Sequence, residues 1–348
     1  MTGCAGRPRR GRVTEVDRPE DAGLRWGFVG TGTIARWMAE VVRATPGAEL
    51  TAVASRRLHT ANEFARMHGA SRVFDSWSDM LDWEGVDAVY VATPTSLREE
   101  ICIGAARAGK HVLAEKPFAS LPSLRRITAA CRGQRVGFMD ATHFVHHPRH
   151  TAIRNTMEQL VGRPRSLQSS FLVSLTDRSN IRYQPALEPL GALGDLGWYN
   201  MRATIEYLAP SDDLQSVTVR LHRDGESGAI TGGAGTLRFA DGRESAWRCA
   251  FDAAALDIGL ELEGSSGTLR MENFVGDNED RSAGYHRHAA DAPAAQETVR
   301  IESEFSGPAL MFRDFATMAR NPAARGRWIS ASESTQALLD AVLEATGR

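Results

Sequence analysis

From Leu24 onward the chain alternates short, almost wholly apolar runs with longer stretches whose apolar residues recur at helical spacing. LRWGFVG (24–30), ELTAVAS (49–55), DAVYVAT (87–93), HVLAEKPF (111–118) and RVGFMDA (135–141) are runs of the first kind. Between them lie helical patterns through Trp37, Met38, Val41 and Val42, then near 58–69, 96–108 and 122–132. Runs that are apolar throughout suit strands covered on both faces. Strands and helices alternating in this order predict a parallel, doubly wound sheet.

After about residue 142 the pattern changes. A helix is expected from Pro148, a long strand at 166–175, a loop at 176–190 and a helix at 195–208. Strand signals then crowd together at 214–222, 229–240, 244–253, 257–263 and 267–272, separated by DG, GG and GSSG turns, which predicts a mostly antiparallel sheet. Residues 273–296 read as a polar loop and 307–320 as a helix. Ser330-x-x-Glu333 reads as a capping box opening the closing helix. Residues 1–23 mix Arg, acids, Gly and Pro and read as a disordered tail. Arg9–Arg10 is followed by no apolar segment, so a twin-arginine export signal is rejected.

Composition narrows the function more than the fold. A net charge of −2 and no Lys/Arg block argue against nucleic acid as partner, and no apolar run approaches membrane-spanning length. Cys4, Cys102, Cys131 and Cys249 are scattered, which suits reduced thiols in a cytoplasmic protein. His146 and His150 stand four apart in HFVHHPRH, but no third ligand accompanies them, so no metal is expected. One compositional fact points at chemistry. Lysine occurs only at Lys110 and Lys116, and the other 39 basic residues are arginine. Arg does not release its proton near neutral pH, whereas Lys is a compact charge whose pKa can move. Lys110, at the far end of its strand, reads as a surface residue. Lys116, at a strand's carboxyl end, reads as a functional one.

GFVGTGTIA places Gly30-x-Gly32-x-x-Ala35 between the first strand and the first helix. There glycines permit a tight turn and close approach to a pyrophosphate seated on the helix N-terminus, with Thr31, Thr33 and Ile34 in the same loop. The fold class expected is therefore α/β: a Rossmann dinucleotide-binding domain at 24–141, then an α+β substrate-binding domain at 142–348 with a mostly antiparallel open sheet. At the end of the second strand stand Ser55, Arg56 and Arg57, with no acid. A carboxylate there would hold a ribose 2′-hydroxyl; arginines suit a 2′-phosphate. NADP(H) is therefore favoured, with NAD(H) the alternative.

GTGTIA, ASRR, DAVYVATP, AGKHVLAEKP and GALGDLGWYN occur in order over residues 24–348. In this the chain resembles the Gfo/Idh/MocA oxidoreductases. The resemblance implies that Thr93, Pro94 and Glu115 join the cofactor site. It implies that Lys116 contacts substrate and nicotinamide ribose and assists proton transfer, and that Pro117 is often preceded by a cis bond. Where the family usually has Asp-x-Gly-x-His, this chain has Asp195-Leu-Gly197-Trp-Tyr199. That departure resembles the branch of glucose-fructose oxidoreductases, dihydrodiol dehydrogenases and ketosugar reductases. Four residues apart on a helix, Asp195 and Tyr199 would share a face. An adjacent ammonium would lower the phenol's pKa and make Tyr199 the proton donor or acceptor, with Asp195 orienting substrate or lysine. Arg182, Tyr183 and His147 are candidate substrate contacts. Arg98 stands where relatives often carry His.

These residues imply hydride transfer between a nicotinamide and a carbinol or ketone carbon of a sugar-like, nucleotide-sugar or cyclic-diol substrate, in a homo-oligomer (dimer or tetramer). A non-catalytic nucleotide-sensing regulator needs the glycine loop without the proton-transfer set. An NAD-dependent glycosidase of the same fold would not call for a phosphate-type site at Ser55–Arg57.

Overall fold

The computed structural model describes residues 23–211, 213–276 and 281–347. The segment read as a disordered tail lies outside them, apart from Gly23.

The first sheet comprises β1 (Leu24–Val29), β2 (Ala48–Ala54), β3 (Arg72–Phe74), β4 (Ala88–Val91), β5 (His111–Ala114) and β6 (Phe138–Asp140). All pairings are parallel, in the order β3-β2-β1-β4-β5-β6. The intervening helices are α1 (Thr33–Ala44), α2 (Leu58–His68), α3 (Trp77–Leu81), α4 (Thr95–Arg107) and α5 (Leu121–Gly133). On α1 the buried residues are Ala35, Met38, Ala39 and Val42, an i, i+3, i+4, i+7 stripe against the sheet. The order reverses between β1 and β4, so the carboxyl ends of those strands open a crevice. The short β3 and α3 were not legible, because three and five residues are too few to show a period.

The chain then forms α6 (Pro148–Asn155), α7 (Met157–Val161), β7 (Pro164–Ser174), α8 (Gly191–Asp195) and α9 (Gly197–Ala203). Strands β8 (Leu214–Arg223), β9 (Ile230–Phe239), β10 (Glu244–Ala250), β11 (Asp252–Asp257), β12 (Leu260–Gly264), β13 (Gly267–Met271), β14 (Ser282–Ala289) and β15 (Ala292–Glu302) follow. They join β7 in a second sheet, antiparallel except where β10 pairs with β7. Its inner face carries Leu167, Trp247, Cys249, Leu262 and Leu269 under α7, α8 and α9. Its outer face exposes Thr218, Arg220, Arg248, Glu261 and Arg270.

Finally α10 (Gly307–Arg320) and α11 (Arg325–Glu344) return to the first sheet. Phe312 of α10 meets Trp26 of β1 edge-on at 4.8 Å, and α11 packs on α5, α9 and β6.

Four expectations are corrected. Residues 282–302, expected in part as polar loop, form the β14–β15 hairpin; on β14 Tyr285 alone is buried, so backbone pairing rather than an apolar face holds it. The helix read as 195–208 is α8 and α9, broken at Leu196 between Gly194 and Gly197, then a π turn over 204–208. Ser330 is no cap, because α11 starts at Arg325; Glu333 instead accepts from Thr128 Oγ1 at 2.8 Å on α5. Lys110 is no free surface residue: its ammonium donates to the carbonyls of Trp83 (3.2 Å) and Val86 (2.8 Å).

Asp140, at the end of β6, joins these parts. It accepts from Arg202 of α9 at 3.0 Å and from Ser332 of α11 at 2.5 Å, with the side chains of Asp140 and Arg202 at 0% and 1% exposure. Replacing one member strands the other charge in the core. Arg202→Leu should therefore cost about 3–5 kcal/mol of folding free energy in a urea titration; a loss below about 1 kcal/mol would contradict it.

Candidate active site

The nucleotide end of the site is built from backbone. Gly30 has φ +112°, and a Cβ there would lie 2.7 Å from the Ala92 carbonyl, so only glycine lets β1 and β4 open at this point. A Cβ at Gly32 would meet nothing within 4 Å. Gly32 also precedes α1, whose N-terminus carries no side-chain cap and no acid in its first turn. Thr31 and Thr33 flank this space and Ile34 packs against the core. Ser55 Oγ lies 3.0 Å from Thr60 Oγ1, which fixes the turn after β2. Arg56 and Arg57 are exposed, with no ion-pair partner among the described residues. The buried Thr93 Oγ1 also lacks a partner among them, and Pro94 follows at the start of α4. Open glycine cradle, uncapped helix, unpaired hydroxyl and paired free guanidiniums together fit a dinucleotide with a 2′-phosphate.

The loop after β5 carries Lys116, and three parts of the fold hold it. The Lys116–Pro117 peptide is cis. Gln336 of α11 accepts from Phe118 N at 3.0 Å. The buried Arg98 of α4 donates to the carbonyls of Pro117 and Thr93 and to Thr95 Oγ1. The arginine that stands where relatives often carry His thus staples the ends of β4 and β5 together. Glu188, unremarked in the sequence, accepts from Thr95 N (3.1 Å) and Thr95 Oγ1 (2.6 Å), so the loop after β7 closes over the N-terminus of α4.

Lys116 Nζ reaches Asp195 Oδ1 at 2.9 Å and the Asp195 carbonyl at 2.7 Å, and lies 4.8 Å from the centre of the Tyr199 ring. Asp195 and Tyr199 therefore converge on the lysine across a break in the helix. Gly194 makes this possible, since a Cβ there would lie 2.7 Å from Pro117 Cγ. Arg182 donates Nε to Asp195 Oδ2 (2.5 Å) and Nη2 to Oδ1 (3.2 Å). Burial opposes charge on Asp195, yet Lys116 and Arg182 hold its carboxyl well below the usual range. Burial raises the Glu115 carboxyl, against the pull of Lys116 and of Tyr90, whose hydroxyl donates to it at 2.5 Å.

The expected acidification of Tyr199 is reversed. Burial, then the Glu115 and Asp195 carboxylates, push its phenol well above 10. Lys116 sits over the ring face rather than at the hydroxyl, and desolvation outweighs it. The phenol therefore keeps its proton at neutral pH. Its hydrogen-bond partner is His143 Nε2 at 3.4 Å, a residue that sequence reasoning passed over while weighing the histidine cluster for metal. Among the described residues no group of three His, Cys, Asp or Glu is placed to hold a metal ion, and no helix is long and apolar enough to cross a membrane.

Tyr183 and His147, the candidate substrate contacts, each make a structural hydrogen bond. The Tyr183 hydroxyl donates to the Leu175 carbonyl at 2.8 Å. His147 caps α6, its Nδ1 accepting from Arg149 N at 3.1 Å. His111 Nδ1 likewise accepts from Gly137 N at 2.8 Å. Burial, with nearby Arg149 or Arg325, pulls both imidazoles down to about 4. An unfolded histidine takes up its proton near pH 6.5, and the folded ones near pH 4. Stability is therefore lost as pH falls from about 6.5 to about 4, by about 1.4 kcal/mol per pH unit for each histidine. Urea midpoints across this range test it. His111→Asn, whose amide oxygen can accept from Gly137 without titrating, should flatten the slope by about one proton; an unchanged slope would remove His111 from the account.

Residues 24–141 match the sequence profile of an oxidoreductase family with an NAD-binding Rossmann fold, and residues 151–270 that of a GFO/IDH/MocA C-terminal domain. The chain is 33% identical to dTDP-3,4-didehydro-2,6-dideoxy-alpha-D-glucose 3-reductase of Actinomadura kijaniata, over 74% of this chain and 77% of that one. It is 30% identical to 1,5-anhydro-D-fructose reductase of Ensifer adhaerens, over 72% and 76%. The crystal structure of KijD10, a 3-ketoreductase from Actinomadura kijaniata in complex with NADP and TDP-benzene, superposes with a TM-score of 0.85 at 30% identity, covering 93% and 98%.

Proposed function

Because this chain belongs to the Gfo/Idh/MocA family of oxidoreductases, we propose that it is an NADP(H)-dependent reductase or dehydrogenase acting at a ketone or carbinol carbon of a sugar-like substrate. The observation that carries this is the convergence of Lys116, Asp195 and Tyr199 beside the carboxyl end of β5, in the crevice that the glycine loop faces. Relatives of known activity reduce a dTDP-ketosugar and an anhydroketose, which supports the substrate class.

A nicotinamide held in this crevice would supply or accept the hydride. In the reducing direction Tyr199 gives its phenolic proton to the oxygen of the carbonyl being reduced. Lys116, held by Asp195 over the Tyr199 ring, sets a compact positive charge beside the site and so stabilises negative charge building on that oxygen. Asp195 orients Lys116, and Arg182 fixes Asp195 rather than offering itself first to substrate. Trp37, Phe171 and the Tyr199 ring stand around the site as apolar walls against which the C–H face of a sugar ring can lie. Arg56 and Arg57 hold the 2′-phosphate, with Ser55 at the turn. A sensing regulator has no use for the Lys116–Asp195–Tyr199 set. A glycosidase with resident NAD has no use for Arg56 and Arg57. The polar outer face of the second sheet, mixed in charge, suits a self-complementary contact between two copies of the chain. A cytoplasmic setting fits the buried thiols of Cys102, Cys131 and Cys249.

The test is cofactor titration followed by turnover. NADPH should bind more tightly than NADH by at least about tenfold, and Arg56→Asp should erase the difference. With 1,5-anhydro-D-fructose, free ketoses, dTDP-ketohexoses and cyclic diols as the panel, Lys116→Arg and Tyr199→Phe should each lower kcat/KM by about 10²-fold or more. Preference for NADH would overturn the cofactor assignment, and unchanged turnover in both variants would overturn the catalytic one.

A further inference from the structure

His143 takes no part in the reaction as set out above, yet it is packed against the group that does. It opens a short 3-10 turn, His143–His146, directly after β6. Its backbone is pinned at the start of α10, where a Cβ on Gly307 would lie 3.1 Å from the His143 carbonyl. The imidazole stands edge-on to Trp37 of α1 (5.9 Å, 89°) and to Tyr199 of α9 (5.9 Å, 61°). Rings from two different helices thus pack against it. Its Nε2 lies 3.4 Å from Tyr199 Oη, a long contact of the kind that tightens when substrate closes a site.

We propose that His143 is a positioning residue for proton transfer: carrying its hydrogen on Nε2, it donates to the oxygen of Tyr199 and so aims the phenol's own hydrogen at the substrate. This rests on the reading of Tyr199 as proton donor. The argument is one of donors and acceptors. A buried phenol with a single neighbour either gives that neighbour its hydrogen or accepts one from it. If it gives, the proton needed by the substrate is tied up on the imidazole. If it accepts, the proton is free to point into the crevice. The lysine cannot settle this, because Nζ lies over the ring and not at the oxygen.

The neighbour is a neutral imidazole. Burial, with Lys116 and His146 close by, pulls its pKa down to about 3, so over the working range it carries one N–H and no charge. As the reaction proceeds, the O–H bond of Tyr199 breaks and an O–H bond forms on the substrate oxygen, while the reduced nicotinamide furnishes the electron pair to carbon. The phenolate left behind, facing the Glu115, Asp195 and Asp140 carboxylates with Arg182 opposing them, is stabilised by the same Nε2–H until solvent returns a proton. An N–H held in place before charge develops on its acceptor needs no rearrangement during the step.

Phenol ionisation measures that stabilisation without any substrate. A fluorinated, more acidic tyrosine would be placed at position 199 in the full chain loaded with NADP, and phenolate absorbance followed against pH. His143→Phe, which keeps the aromatic packing and removes the N–H, should raise the ionisation by about one pH unit, a tenfold loss of phenolate stability. His143→Gln, whose amide nitrogen can reach the place of Nε2, should bring it back. His143→Met stands in if the Phe variant does not bind NADPH. An ionisation unchanged or lowered when the N–H is removed would overturn the proposal. Turnover of Tyr199→Phe reports separately on the donor role of the tyrosine, so failure of that reading is told apart from failure of this one.

Discussion

Asp140 and Arg202 form an ion pair that is dry on both sides, and the position of α9 follows from it. The carboxylate sits at the carboxyl end of β6, where the first sheet stops, and accepts from Thr142, Ser332 and Arg202. The guanidinium continues to Glu206 at 2.9 Å, and Glu206 to Arg154 at 3.0 Å and His150 at 3.3 Å. Each buried charge is met by another, which is the condition for keeping any of them charged away from water. Trp198 donates to Thr142 at 2.7 Å and bolts the same helix to the same strand end. Tyr199 is the next residue. Its place over Lys116 is set by a helix anchored one residue before it and three residues after it.

The same logic explains the lysine. Glu115, Asp195 and Arg182 act on the same small space, and the Tyr199 ring lies against the ammonium. A guanidinium in place of Nζ would spread its charge over a plane and need more acceptors than the Asp195 carboxylate, already shared with Arg182, can offer. The ammonium fits because it is small. Arginine serves everywhere that a fork is wanted: at Arg98, across three acceptors; at Arg182, across both oxygens of Asp195; and at Arg202, between two carboxylates.

Much of this was legible in the residues, and particular residues show where legibility ended. The near-continuous apolar runs announced the parallel strands, since only strands covered on both faces can be so written. The hairpin β14–β15 went unread because its polar sequence buries Tyr285 and little else on β14, leaving no alternation to see. The start of α11 was misplaced because a Ser-x-x-Glu pattern also arises inside a helix, where Glu333 bonds to Thr128 and Arg132. At the site, the fold brings together Lys116, Asp195 and Tyr199, which the sequence had singled out. For Tyr183 and His147 the sequence did not show the bonds that the fold gives them, a hydroxyl to a carbonyl and an imidazole Nδ1 to the first turn of a helix.

What the sequence determined by itself is local: the strand and helix order, the glycine turn, the absence of an acid after β2, and one lysine at a strand's carboxyl end. These depend on neighbours in the chain and on rules that hold residue by residue. The tertiary structure alone decided the electrostatic outcome. The phenol of Tyr199 is raised rather than lowered because burial and two carboxylates, Glu115 from the distant β5 loop and Asp195, outweigh a cation that lands on its ring. Arg182 was committed to Asp195, Arg98 to two strand ends, and His143 to the phenol, by folding that brought together residues 5 to 56 positions apart. Charge and desolvation act through space, and the chain order carries no record of which groups will share it.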